Sequence, residues 1–374
     1  MIIGIDASRA NEEKKTGVGW YSYHVIQELK HLTTQPPNHP TTSQSLRVVL
    51  YTNKPLQGEL ADLPENWEEK VLHWFPKRLW TQIRLSWEML MHKPDVLFIP
   101  AHVFPIIHPK HTVMTLHDIA AIRFPEAYNW FERWYTLWSG KFAVKNLWKV
   151  ITISEFTKSE LEKEFGSLNN VSVIHLGYNE EYHKIQQGIG SVLKKYKITK
   201  PYLLSIGRLE NKKNTVNIIR AFEELRITNN ELSLVLIGKP GHGYEKVKKV
   251  IENSEFKNDI ITPGWVENDD LPILMNGAEV FVFPSLYEGF GIPVLEAQAC
   301  GTPVVTSKGS SLEEVGKDAC IYVDPQNVDE IVDNVAKLIE DNELREKMIT
   351  KGFKNIERFS WEKCARETLN HLIT

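Results

Sequence analysis

Two glutamates eight residues apart, Glu288 and Glu296, flank a glycine-rich turn in the run Tyr287-Glu288-Gly289-Phe290-Gly291-Ile292-Pro293-Val294-Leu295-Glu296. Before it stands the apolar run Val280–Pro284, and after it Thr302–Thr306. The pattern predicts a buried strand, a tight loop, a short helix and another strand. Pro293 suits a first helical turn, where a missing N–H costs nothing, and Gly301 suits the helix stop. A glycine loop feeding a helix N-terminus offers free N–H groups and the positive end of the helix dipole to an anion. Glu296 falls one turn inside that helix. A carboxylate there cannot assist a phosphate, but its two oxygens can accept from two vicinal hydroxyls, as on a ribose. The segment reads as a nucleotide site, with phosphates at Gly289, Phe290 and Gly291 and the sugar at Glu296.

A second stretch supplies positive charge. Pro201–Ile206 reads as a strand, and Gly207-Arg208-Leu209-Glu210-Asn211-Lys212-Lys213 follows it. Arg208 and Lys213 fall just past a strand's carboxyl end, where open α/β sheets place their ligands. A guanidinium fork and an ammonium there can neutralise a departing nucleoside diphosphate without a metal. The plainer reading of such cations is an exposed surface role, which fits Lys212. His117, at the end of the run Val113–Leu116 and followed by Asp118, reads either as a buried structural histidine or as a group facing a cleft. His102, His108 and His111 read as structural or exposed.

The elements that must position these groups alternate along the chain. Apolar runs at 46–51, 96–99, 113–116, 150–153 and 171–175 are separated by helical patterns, the first from about Val18 to Leu32. A polar, proline-broken loop covers 35–43. Residues 177–200 are polar, contain Gly188 and Gly190, and read as a linker. The alternation then restarts, with strands near 202–206, 232–238, 259–262, 280–284, 303–306 and 320–323. Such alternation predicts parallel sheets wound with helices: an α/β chain of two doubly wound, Rossmann-like domains facing a central cleft. No internal sequence repeat is visible.

Composition bounds the function. At 374 residues the chain is long enough for two domains. A hydrophobic content of 42% and a charged content of 25% are ordinary for a soluble globular protein, and a net charge of −4 argues against nucleic-acid binding. Cys300, Cys320 and Cys364 show neither paired nor metal-ligand spacing, which predicts a reducing, cytoplasmic setting. No signal-peptide or membrane-span pattern is present. Asp269-Asp270 is adjacent rather than an Asp-x-Asp metal motif, and reads as a helix start.

Nine of the eleven tryptophans precede residue 150. Trp130, Trp134 and Trp138 recur every fourth residue, with Phe142 and the basic Lys141, Lys145 and Lys149 nearby. Trp80, Ile83, Trp87 and Leu90 form a similar stripe beside Lys77, Arg78 and Arg84. A stripe at helical spacing reads first as core. Tryptophan beside basic residues reads second as a membrane interface. Gly17-Val18-Gly19 is not a dinucleotide fingerprint, because it lies too far past the first strand and Ser22 holds the third glycine position. It reads as a flexible loop over the cleft, with a plain loop into a helix as the simpler alternative.

Glu288 through Ala297, together with Gly301-Thr302-Pro303-Val304-Val305, resembles the signature of glycosyltransferase family 4, retaining enzymes of GT-B fold. Gly207-Arg208-Leu209 with Lys213, Thr115–Ile119 around His117-Asp118, Thr152–Thr157, and Asp6 with Gly17-Val18-Gly19 match that family in order along nearly the whole chain. The resemblance is closest to bacterial mannosyltransferase-like enzymes of surface glycans.

It implies an acceptor-binding domain over 1–180, a C-terminal helix at about 358–374 crossing back onto it, and a nucleotide-sugar domain over 195–357. It also implies transfer of a hexosyl group, with GDP-mannose weakly favoured, to a hydroxyl of a glycan or polyprenyl-linked acceptor, with no cofactor and no metal. Arg208, Lys213, Gly289, Phe290, Gly291 and Glu296 would bind the donor. His117, Glu288, Arg208 and Lys213 would serve the reaction. Gly17, Val18, Gly19 and Asp118 would line the acceptor side. The expected location is the cytoplasm, with peripheral contact at the inner membrane face. Two rivals remain: a GT-B nucleotide-sugar 2-epimerase, which would need no acceptor, and a non-catalytic partner subunit, against which the joint presence of Arg208, Lys213, Glu288 and Glu296 argues.

Overall fold

The computed structural model describes residues 1–34, 46–75, 79–185 and 187–374; the polar loop at 35–43 and the basic pair Lys77-Arg78 lie outside them. The chain forms two compact units, Met1–Gly177 with Phe359–Thr374, and Tyr178–Arg358.

In the first unit β1 (Ile2–Asp6) leads to α1 (Gly17–Thr34), β2 (Arg47–Thr52) and β3 (Trp67–Val71). A π-helical turn over Trp80–Leu85 runs into α2 (Ser86–Met91). Then come β4 (Val96–Ile99), β5 (His111–Leu116), α3 (Ala120–Arg123), α4 (Trp130–Asn146), β6 (Lys149–Thr152), α5 (Glu155–Phe165) and β7 (Val171–Val173). The strands pair in parallel in the order β3-β2-β1-β4-β5-β6-β7.

The second unit opens with α6 (Ile189–Tyr196), β8 (Tyr202–Ile206), α7 (Thr215–Thr228), β9 (Ser233–Ile237), α8 (Tyr244–Asn253), β10 (Ile260–Gly264) and α9 (Leu271–Gly277). It continues with β11 (Val280–Phe283), α10 (Ile292–Ala299), β12 (Val304–Ser307), α11 (Ser311–Gly316), β13 (Ile321–Val323), α12 (Val328–Glu340) and α13 (Asn342–Ile356). Its parallel order is β10-β9-β8-β11-β12-β13. The last helix, α14 (Trp361–Ile373), returns to the first unit.

Strand period explains why the apolar runs are continuous. Successive side chains point to opposite faces, and helices cover both faces of a parallel sheet. In the second unit Tyr202, Leu204, Val235, Ile237, Phe281 and Phe283 join one core cluster. Their chain neighbours Leu203, Leu234, Leu236, Val280 and Val282 join the other. Each strand therefore feeds two cores, and a polar residue on either face would be buried.

Four expectations are corrected. Strand β3 is absent from the predicted set; it is an edge strand whose Glu68, Glu69 and Lys70 hide the pattern, with only Trp67 fully buried. Residues 177–200 are not a simple linker, because α6 within them folds onto the second unit through buried Val192 and Leu193. Gly17-Val18-Gly19 is not a loop but the first turn of α1. The tryptophan stripes are not core. α4 buries its small-residue face, Ser139, Gly140, Ala143 and Val144, and leaves Trp130, Trp134 and Trp138 exposed. Of the other stripe, Trp80 alone is buried, its Nε1 donating to the Leu72 carbonyl at 2.7 Å, while Ile83, Trp87 and Leu90 are exposed.

Helix α14 starts at Ser360, whose side chain accepts from the Lys363 N–H. It packs along α1, with Trp361 stacked on His24 at 4.8 Å. Gly177 permits this seat. A Cβ there would lie 2.3 Å from the Trp361 nitrogen and 2.6 Å from the Ser360 carbonyl carbon, both backbone atoms. Gly177→Ala should therefore lower stability by about 2 kcal/mol in urea unfolding. Gly190→Ala, whose methyl meets nothing within 4 Å, should be neutral or stabilising by up to about 1 kcal/mol. Equal midpoints for the two variants would contradict the packing.

Candidate active site

In the second unit the strand order reverses between β8 and β11, and open α/β sheets bind ligands in the crevice outside the carboxyl ends of such strands. The loops that meet there are 207–213 after β8 and 284–291 after β11. A zip of backbone hydrogen bonds extends β8 and β9 past their ends: Gly207 N–H to the Ile237 carbonyl at 2.9 Å, then Leu209 N–H to the Lys239 carbonyl and Gly241 N–H to the Leu209 carbonyl, each at 3.0 Å. Only glycine fits at 238, where a Cβ would stand 1.8 Å from the Gly207 oxygen.

Arg208 emerges from this zip with its side chain 66% exposed. Its Nε lies 3.6 Å from a Glu210 carboxylate oxygen, and its Nη2 reaches the Pro240 carbonyl only at 3.5 Å. The guanidinium is thus nearly uncommitted. Lys213 differs: its ammonium pairs with the Glu288 carboxylate and sits 4.9 Å above the Phe283 ring. Ser285 holds the same Glu288 oxygen, its hydroxyl donating at 2.6 Å. The Leu286 N–H donates to the Lys212 carbonyl at 2.9 Å and ties the two loops together. Lys213 and Glu288, 75 residues apart in sequence, are therefore brought into contact, and nothing in the sequence showed that they would neutralise each other.

The glycine turn is fixed from behind. The buried Ser311 hydroxyl lies 2.8 Å from the Glu288 carbonyl oxygen and 2.9 Å from that of Phe290. Gly291 precedes α10 at φ 108°, and a Cβ there would meet Leu312 Cδ2 at 2.4 Å. Pro293 falls in the first turn of α10, as read from the sequence. Ser285 and Ser311 escaped the sequence reading; the one available signal was their closeness to the glycine turn, since a serine carries no pattern that separates a clamp from a loop residue.

Glu296 lies on α10 with Tyr182 and Cys300 around it. No hydrogen bond or ion pair reaches its carboxylate among the described residues. Burial pushes its pKa up to about 8, because no partner offsets the loss of water around the charge. This is not a solvated helix carboxylate; it is a partly enclosed acceptor with nothing to accept from.

In the first unit the order reverses between β1 and β4. Here β5 delivers His117, whose Nε2 stands 3.1 Å from the Pro100 carbonyl oxygen. A carbonyl only accepts, so Nε2 carries the proton and Nδ1 is left as an acceptor. Burial holds this imidazole down at a pKa of about 4, hence neutral at pH 7. Tyr21 of α1 meets it edge-on at 4.7 Å and hydrogen-bonds to Thr115 at 3.0 Å. Asp118 Oδ1 accepts from the Ala120 N–H at 3.0 Å and opens α3.

His102 is grouped with these residues electrostatically. Burial lowers its pKa against the opposing charge of Asp118, which places it closer to this group than the sequence reading did. At Gly19 a Cβ would come within 3.1 Å of the Arg9 carbonyl oxygen, so the start of α1 lies tight against the loop after β1. Asp6 ends β1 and accepts from the Ser8 N–H at 3.0 Å.

Two family models match the chain, Glycosyltransferase Family 4 over residues 42–182 and Glycosyl transferases group 1 over residues 193–355. O-antigen chain mannosyltransferase B of Escherichia coli is 30% identical over 305 residues, covering 80% of this chain and 78% of that protein. The structure of sucrose-phosphate synthase from Thermosynechococcus elongatus matches with a TM-score of 0.76 at 16% identity, over 99% of this chain and 98% of that one. That of Anabaena HepE in complex with UDP-glucose matches with a TM-score of 0.74 at 17% identity, over 99% of each chain. At those identities the structural likeness speaks for the fold. With the family models and the mannosyltransferase relative beside it, the chain belongs to glycosyltransferase family 4 and has the GT-B fold.

Proposed function

We propose that the protein transfers a hexosyl group, with retention of anomeric configuration, from a nucleoside-diphosphate sugar to a hydroxyl of a glycan or polyprenyl-linked acceptor. The observation that carries this reading is the meeting of Arg208, Lys213, the Gly289–Gly291 turn and the partnerless Glu296 around one strand-order reversal. Glu296 would accept from the two ribose hydroxyls, which supply the donors that its carboxylate lacks. Arg208 and Lys213, with the backbone of Gly289, Phe290 and Gly291, would hold the diphosphate. These side-chain cations carry the positive charge the leaving group needs, so the reading calls for no metal, and the nucleotide-sugar is a substrate rather than a cofactor.

The bond from the anomeric carbon to the diphosphate oxygen breaks as the acceptor oxygen bonds to the same face, and the acceptor's proton passes to the departing diphosphate. Stabilising that leaving group and aligning the two substrates account for the rate. In the first unit, neutral His117 would offer Nδ1 to a sugar hydroxyl, with Asp118 and the turn Gly17-Val18-Gly19 on the acceptor side. Glu288 would act near the reacting centre while restraining Lys213. The mannosyltransferase relative supports mannose as the transferred sugar, and its O-antigen name supports an acceptor in surface-glycan assembly; GDP-mannose is the donor proposed with them.

A thermal-shift screen against GDP, UDP, ADP and their sugar conjugates tests the donor site, because a ligand that binds only the folded state raises its apparent stability. One nucleotide should shift the transition, and Glu296→Ala should remove the shift; a shift retained in that variant would refute the ribose contact. Arg208→Ala should lower turnover by about 100-fold or more with folding intact; Lys213→Ala should lower it as far with some loss of stability, because it leaves Glu288 unpaired. A loss of turnover in Arg208→Ala no greater than its loss of folding would refute the diphosphate role.

Glu296 also carries a pH signature. Its folded pKa is raised above the unfolded value, so the folded state holds the proton more tightly and stability falls as pH rises from about 4.5 to 8. Glu296→Gln should therefore be more stable than the parent at pH 9 by roughly 2–5 kcal/mol, and similar to it near pH 4. A constant difference at both pH values would show that the carboxyl is not desolvated.

A further inference from the structure

Three contacts within the first unit hold His117, which is buried. Its Nε2 donates to the Pro100 carbonyl at 3.1 Å, and the buried Ser22 hydroxyl of α1 donates to the same carbonyl at 3.3 Å. Its own carbonyl accepts from the Thr157 hydroxyl of α5 at 3.4 Å. The third contact is the ring of Tyr21, the residue before Ser22, which meets the imidazole edge-on at 4.7 Å and 82°.

Tyr21 is itself pinned. It is 1% exposed, and its hydroxyl lies 3.0 Å from that of Thr115 on β5, two residues before His117. Behind it stands α14: Trp361 packs 6.2 Å from its ring, and the buried Cys364 and Thr368 of that helix act on its phenol. Burial raises the phenol's pKa, so the ring brings no charge to the imidazole. The last torsion of a histidine is broad and roughly two-fold, and a half-turn about it exchanges each ring nitrogen with a carbon. One hydrogen bond at Nε2 opposes that rotation weakly. A rigid aromatic ring packed against the imidazole blocks it and keeps water out.

We propose that Tyr21 is a positioning residue for His117: its ring keeps the imidazole turned so that Nε2 stays on the Pro100 carbonyl and Nδ1 stays open to a substrate hydroxyl. This rests on the part given to His117 above. Helix α14 completes the arrangement by backing the phenol. The groups that act electrostatically on the imidazole are His102, which lowers its pKa, and Asp118, which raises it; Arg9 acts on His102. None of the three lies on α1. A change in the imidazole's titration on replacing Tyr21 therefore reports lost packing and entering water.

The test is nitrogen-15 resonance spectroscopy of the full chain labelled at histidine, with the His117 signal assigned by its loss in His117→Gln. In the parent one tautomer should dominate, with the proton on Nε2, and the ring should titrate at about pH 4. Tyr21→Met keeps an apolar side chain in place and removes the planar wall. It should give both tautomers and lift the imidazole pKa toward 6.5. Release of GDP from GDP-mannose at pH 7 should fall about tenfold in kcat, with KM within about twofold. Tyr21→Phe retains the ring and should restore the single tautomer, with kcat within about twofold of the parent. An even mixture of tautomers in the parent would overturn the proposal whether or not Tyr21→Met folds. So would a Tyr21→Met chain that melts earlier with its His117 spectrum unchanged, since the tyrosine would then be core alone. The two readings fail separately: parental turnover in His117→Gln would refute the role of the imidazole, and an unaltered spectrum in Tyr21→Met would refute that of the tyrosine.

Discussion

Each unit depends on one topological constraint: the strand order of its parallel sheet reverses once. Crossovers in a parallel sheet are right-handed, so connections leaving a reversal in opposite directions carry their helices to opposite faces. The loops above the two central strands are left uncovered between them. In the second unit those loops are 207–213 and 284–291. Every group assigned to the donor follows from that placement. The lack of a side chain at Gly238 lets the β9 loop close on Gly207, and the shared backbone bonds then aim Arg208. Gly291 turns the other loop into α10, and Ser311 grips the carbonyls before it.

The electrostatics of the two cations are unlike. Arg208 is mostly exposed and its contact with Glu210 is loose; such a pair contributes about 0–1 kcal/mol, so redirecting it costs little. Lys213 is 19% exposed and its partner Glu288 12% exposed. Separating them without a replacement anion would leave two partly desolvated charges, which is far more costly. A bound diphosphate can replace Glu288 as the counter-charge, and Ser285 remains beside the carboxylate when the lysine leaves. Glu296 is the complementary case, a carboxyl with no internal partner, which burial holds protonated up to about pH 8 unless a ligand offers it donors. The site thus holds one neutralised cation, one loosely paired cation and one carboxyl without a partner, as suits a ligand with both anionic and hydroxyl groups.

The sequence made legible what is written locally. Apolar runs such as 96–99 and 202–206 coincide with β4 and β8 because a strand buried on both faces has no polar position to blur it. The turn before α10 was legible because glycine and proline have few other uses at that spacing. Edge strand β3 was not, since its pairing partner lies on one side only and its exposed face tolerates charge. The tryptophan stripes misled because helical spacing says which side chains share a face, not which face is covered; α4 buries its smallest residues instead. Contacts made by folding alone stayed hidden: Ser285 and Lys213 on Glu288, Tyr21 against His117 across 96 positions, and the solitude of Glu296.

Helix α14 belongs to the first unit although the entire second unit precedes it in the chain. During synthesis, residues 178–358 can therefore complete their own cores while the first unit still waits for its last helix. Until residues 359–374 leave the ribosome, Tyr21 and His24 on α1 lack the indole of Trp361 that covers them, and Lys149 lacks the His371 carbonyl that caps its ammonium. The order of maturation is inverted relative to the order of translation: the second unit can close first, and the first closes only after residues 359–374 have been made.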